Sequence, residues 1–157
     1  MAGTGGRTLA NQDDAASVLT RLSRVTVEDT RRWGTMTVHE MLCHLSDAFR
    51  AGLGEPPAAK AMRVMGLRGS VPKWVALSLP LPWPHGIRGP AEVDPKRQGT
   101  KPAEFVADRD RVEARLRRFI AEVGDGAPHP MFGAMTRGDW LRWGWLHMDH
   151  HLRQFGR

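Results

Sequence analysis

An all-α fold, a four-helix bundle with one long Pro/Gly-rich crossover connection, is what the order of residues in this chain predicts. Apolar residues recur at three- and four-residue spacing through most of the chain, and no run alternates apolar with polar at period two as a half-buried strand would. Tyrosine is absent and clusters of β-branched residues are few. At 157 residues the chain can bury one core unaided but is short for two. Residues 13–157 are therefore expected to form a single domain behind a disordered N-terminal tail over residues 1–12.

The first helix is expected from Asp13 to Val25, where Ala15, Val18, Leu22 and Val25 make one apolar stripe. A short helical turn, VEDTRRW, follows it. The second helix starts after Thr37, because Thr37 and Glu40 have the capping-box spacing in which each side chain satisfies an orphan amide. It runs to Leu53, where Gly54 and the Pro56-Pro57 pair stop it. Residues 58–79 can hold another helix, interrupted by Gly66, Gly69 and Pro72. From Pro80 to Pro102 the density of proline and glycine marks an irregular connection, of the kind that borders sites in small domains. Pro102 to Val123 reads as a helix with Phe105, Val112, Leu116, Phe119 and Val123 on its apolar face. The stretch GDGAPHPMFGAM is a turn segment. Thr136 and Asp139 then repeat the capping pattern and open the last helix, which continues to Phe155.

Composition narrows the function classes. Cys43 is the only cysteine, so an internal disulfide, a clustered-thiol zinc site and an iron–sulfur cluster are all excluded; it reads as a small apolar filler. The longest greasy run, VALSLPLPWP, is too short and too broken by proline to span a bilayer, and the N-terminus lacks a secretory apolar stretch, so a cytoplasmic protein is expected. A net charge of +6 raises nucleic acid as a partner. Against it, the arginines are scattered among carboxylates, as in ADRDRVEARLRRF, and no nucleic-acid-binding module signature occurs; they read as solvated helix faces.

Chemistry concentrates at the end of the chain, in WGWLHMDHHLRQFG. At about 100° per residue, His147 and His151 lie about 40° apart on the last helix and share their stripe with Trp140, Trp143 and Gln154. The pair therefore faces inward, with His150, three residues after His147, a rival partner nearer the border of the stripe. Imidazoles four residues apart can converge on one cation, although two core histidines hydrogen-bonded to neighbours would show the same spacing. A third ligand must come from another helix, with His39, His44, His85 and His129 as candidates. His44 borders the apolar arc of the second helix, as an ordinary boundary histidine also would. Glu40 and Asp47 flank it, one turn away in each direction, and either can accept a hydrogen bond from its ring.

The segments WGTMTVHEMLCHL, HPMFGAMT and HMDHHLRQFG together resemble the DinB-like (DinB/YfiT) superfamily of metal-dependent helical bundles, in particular a branch of unknown function whose members end in His-His-Leu-Arg-Gln-Phe-Gly. The resemblance implies a divalent ion such as zinc, nickel or iron held by His44, His147 and His151. It further implies a homodimer, and for some members transfer of a low-molecular-weight thiol. The expectation is a metal-dependent enzyme that activates a thiol or water against a small-molecule substrate, with Gln154, Glu40 or Asp47 supporting the ligands and Trp140 and Trp143 walling the cavity. The alternative is a non-enzymatic module whose histidine site is structural or vestigial.

Overall fold

Asn11 opens the first helix: its side-chain oxygen accepts from the amides of Asp13 and Asp14, and α1 runs Gln12–Ser23. The two aspartates also place negative charge at the positive end of the helix dipole. In the computed structural model, which describes residues 6–56 and 70–157, the chain carries four further helices: α2 (Val38–Gly52), α3 (Ser70–Ser78), α4 (Phe105–Glu122) and α5 (Arg137–Gln154). A single 3-10 turn, Ala91–Val93, interrupts the connection before α4. No strand occurs among the described residues. The fold is all-α, as expected.

Both predicted capping boxes are present. Thr37 and Glu40 exchange hydrogen bonds at the start of α2, and Thr136 and Asp139 do so at the start of α5. The α2 helix ends at Gly52, one residue before Leu53, and the chain then turns through Gly54 at a positive φ of 75°, a conformation that glycine adopts without steric cost. The expected helical turn at VEDTRRW is not helical. Thr26 and Asp29 instead close a turn, the Thr26 amide donating to the Asp29 carboxylate at 3.0 Å while Arg157 grips the same carboxylate. This local side-chain bonding competes successfully with helix formation. Of the helix expected across 58–79, Ser70–Ser78 forms α3, and residues 57–69 lie outside the described residues.

The long helices close a ring of contacts in which α2 packs on α4 and α5, and α1 packs on the same two helices. Val18, Leu22, Met41, Leu45, Phe49, Leu116, Phe119, Met148 and Leu152 fill the space between them, essentially without exposure. Each such side chain contributes about 1.5–3 kcal/mol on leaving water. Residues 7–11, placed by sequence in the N-terminal tail, have contacts of their own: the Leu9 amide donates to the Leu141 carbonyl at 3.1 Å and its side chain is buried. Gly144 makes this possible, since a β-carbon there would stand 2.6 Å from Leu9 Cδ1 and 3.0 Å from Phe119. The α3 helix leans on α5, where Lys73 meets Asp139 at 3.0 Å.

The 80–102 connection is irregular apart from the 3-10 turn, which packs against α2. It is anchored by Asp47. That buried carboxylate accepts from both the amide (2.7 Å) and the hydroxyl (2.8 Å) of Thr100. No helix among the described residues is long and apolar enough to cross a membrane.

Candidate metal centre

Where α2 passes α5, three imidazoles meet. One nitrogen each from His44, His147 and His151 lies within 4.8 Å of the others, a group that can hold a metal ion. The ring centroids are 5.1 Å apart for His44–His147, 4.7 Å for His44–His151 and 4.8 Å for His147–His151. The capping boxes contribute indirectly, because each fixes the helix start that sets the phase of the histidines downstream.

Two of the three rings have their protons assigned by their neighbours. The Nδ1 of His44 lies 2.7 Å from the Val93 carbonyl, which can only accept, so Nδ1 carries hydrogen and Nε2 of the neutral ring is bare. For His151, Nδ1 meets Gln154 Oε1 at 2.9 Å, and the Gln154 amide is oriented by donating its Nε2 to the Trp33 carbonyl, also at 2.9 Å. His151 Nε2 is bare by the same reasoning. A ligating imidazole ordinarily has its distal nitrogen tied in this way.

Burial drives the basicity of all three below the ordinary histidine range. His147 and His151 are pushed well below it, first by desolvation and then by their histidine neighbours; for His44 the Val93 bond and the charge of Asp47 partly offset the effect. Neutral imidazoles are the form in which histidine ligates. His44 and His147 keep an accessible edge while His151 is buried. That edge faces a cavity of about 1030 Å³ whose walls include Trp33, Trp83, Trp140, Trp143 and Phe132. Trp143 lies against His147 at 4.6 Å between centroids, and Trp140 donates its indole N–H to the Ala127 carbonyl.

Glu40 and Asp47 do not orient His44. The Glu40 carboxylate is spent on the Thr37 amide, with Lys96 3.7 Å away. Asp47 holds Thr100 and lies near Arg50 and Arg115. The acceptor on His44 is a backbone carbonyl of the crossover instead, for which a sequence has no signature. The remaining histidines lie elsewhere. His39 pairs with Asp108 at 2.7 Å, His129 stacks on Phe132 at 4.4 Å, and His85 stacks face to face on Trp33 at 4.0 Å. His150 stands beside the centre, 5.1 Å from His151, and burial lowers its pKa to about 4.

His39, Cys43 and Asp108 form a second group with metal-capable atoms. Here the carboxylate is already committed, since Asp108 also accepts from the Ala103 amide and pairs with Arg111. Burial alone would raise the Asp108 carboxyl, but those partners hold it below its usual value. The Cys43 thiol is pushed up to about 11, mainly by burial and then by the charge of Asp108, so it stays protonated.

Neither the curated proteins nor the solved structures include one with detectable similarity to this chain. The profile of DUF1569, described as a protein of unknown function, matches residues 7–157, nearly the whole length over which the capped helices and the three histidines are spread. The chain belongs to the DUF1569 family.

Proposed function

We propose that this chain is a divalent-metal-dependent enzyme of the DinB-like four-helix type, with His44, His147 and His151 as the metal ligands and a thiol or water as the activated nucleophile. The observation that carries the proposal is the pair of bare Nε2 atoms. Val93 and Gln154 occupy Nδ1 of His44 and His151, so each Nε2 keeps its lone pair, and that of His44 lies 3.0 Å from His147 Nε2. Convergent lone pairs repel unless a proton or a cation lies between them.

His44, His147 and His151 would hold a divalent ion such as zinc, nickel or iron, which would supply the Lewis acidity that makes a thiol or water nucleophilic near neutral pH. The chain's own residues do the rest. Val93 and Gln154 hold the imidazole planes, Trp143 backs His147, and the apolar walls around Trp83 and Phe132 keep bulk water from competing with a substrate. The accessible edges of His44 and His147 open on the cavity, where a small-molecule electrophile or ester can reach the nucleophile. Thiol transfer and hydrolysis both suit this arrangement.

The test is elemental analysis of protein purified without an affinity metal. Near-stoichiometric divalent metal is expected in the wild type and its loss in a His147→Ala, His151→Ala double variant whose helical circular dichroism is unchanged. Metal retained by that folded double variant would end the proposal. Metal without turnover, across a panel of low-molecular-weight thiols, electrophiles and esters, would replace it with a non-enzymatic metal-binding module.

A further inference from the structure

The walls of the cavity carry a charge imbalance that the metal proposal does not use. Three cations, Arg88, Lys96 and Arg97, line it against one carboxylate, Asp94. Asp94 is consumed locally: Arg97 Nε donates to it at 2.7 Å and the Lys96 amide at 2.9 Å. Lys96 reaches the Thr35 carbonyl at 2.8 Å and lies near Glu40. Arg88, which is exposed, alone of these charges has no hydrogen-bond or ion-pair partner among the described residues.

Apart from five histidines, Thr35 and Gln154, the rest of the lining is apolar. Ile87, Leu81 and Trp83 line the same cavity as Arg88, and Leu81 and Ile87 are 63% and 51% exposed. A guanidinium lining a largely apolar cavity selects a ligand with an apolar body and an anionic group, and guanidinium favours a planar carboxylate that it can bind through two parallel hydrogen bonds. A cationic ligand meets the same imbalance as repulsion.

We infer that the cavity binds an apolar organic carboxylate, its body along Trp83, Leu81 and Ile87 and its carboxylate on Arg88. The inference rests on the proposed function only in making this molecule the substrate. Its binding is independent of the metal.

Isothermal titration with octanoate, octanol and octylamine tests it. A carboxylate can also ligate a metal ion, so the titrations are made on EDTA-treated wild type, Arg88→Ala and Arg88→Lys, then repeated with zinc. Octanoate is expected to bind about tenfold more tightly than octanol, the discrimination of one charge-assisted contact at a partly solvated site. Octylamine should bind most weakly. Arg88→Ala should bring octanoate to the level of octanol while leaving octanol unchanged, and Arg88→Lys should restore part of the difference. Equal binding of octanoate and octanol, an undiminished preference in Arg88→Ala, a preference that appears only with zinc, or no binding of any probe overturns the inference. The metal-free arm keeps this outcome separate from failure of the metal proposal, which elemental analysis reads.

Discussion

His44 Nε2 and His147 Nε2 stand 3.0 Å apart, across two helices and a sequence separation of 103 residues. Since the His44 proton is on Nδ1, facing Val93, the hydrogen between the rings belongs to His147. Metal-free protein should therefore contain His147 as the Nε2–H tautomer, and a bound ion must displace that proton to the other nitrogen or to solvent. Nitrogen-detected NMR of labelled histidine should show His147 switching to Nδ1–H on zinc addition, with His44 and His151 in the Nδ1–H form throughout. An unchanged His147 tautomer with zinc bound would mean that this ring is not a ligand through Nε2.

Gln154 ties His151 to the Trp33 carbonyl through one amide. Gln154→Leu leaves both the His151 Nδ1–H and that carbonyl without a partner. Zinc affinity is expected to fall roughly 10–100-fold, measured by competition with a chromophoric chelator. Stability should fall by about 1–3 kcal/mol.

Gly34 sits under the same amide. Its φ is +79°, and a β-carbon there would lie 2.6 Å from Gln154 Nε2. Gly34→Ala should destabilise the fold by more than about 1 kcal/mol and weaken zinc binding as well. Combined with Gln154→Leu, the loss of zinc affinity should be clearly less than additive, because both changes break one connection. Full additivity in the double-mutant cycle would show that they act separately.

Acid should destabilise the metal-free protein well above the carboxylate range. Burial lowers the His129 pKa from 6.5 to about 3, so between those values the unfolded chain holds a proton that the folded one does not. The stability associated with this ring is complete above pH 6.5 and is lost as pH falls toward 3, at up to about 1.4 kcal/mol per pH unit. The Met131 amide donates to His129 Nδ1 at 3.1 Å, and His129→Asn retains an acceptor there while removing the titration. Urea midpoints in EDTA from pH 7 to 4 should fall less steeply in the variant than in the wild type.

Asp47 is the anchor of the crossover that carries Val93. Asp47→Ala strands the Thr100 amide and hydroxyl and leaves Arg50 and Arg115 without their shared counter-charge. A loss of about 3 kcal/mol in denaturant unfolding is expected, with a smaller loss for Asp47→Asn. Because the connection positions the acceptor on His44, zinc affinity should fall too, although Asp47 touches no ligand.

The helical periodicity and the Thr37–Glu40 and Thr136–Asp139 spacings were enough to locate α2, α4 and α5, because capping and amphipathicity are local properties. The wheel also turned His147 and His151 inward beside Trp140 and Trp143, since all four lie within about three turns of one helix. His44 stayed ambiguous at the edge of its apolar arc until the resemblance joined it to the pair. The hidden parts were non-local. A backbone carbonyl such as that of Val93 is invisible in a string of side chains, and the link from Gln154 to Trp33 spans 121 residues. Glu40 and Asp47 were plausible supports by helical spacing, but Thr37 and Thr100 hold them. The turn at Thr26–Asp29 depends on Arg157, at the far end of the chain.

Cys43 lies sealed against Asp108 with its sulfur protonated, and no other thiol occurs in the chain. The polypeptide therefore brings no competing thiolate of its own to a reaction mixture. Consumption of an added alkylating agent, corrected for its background rate, can be assigned to turnover rather than to labelling of a protein thiol, which makes this chain convenient for colorimetric screening.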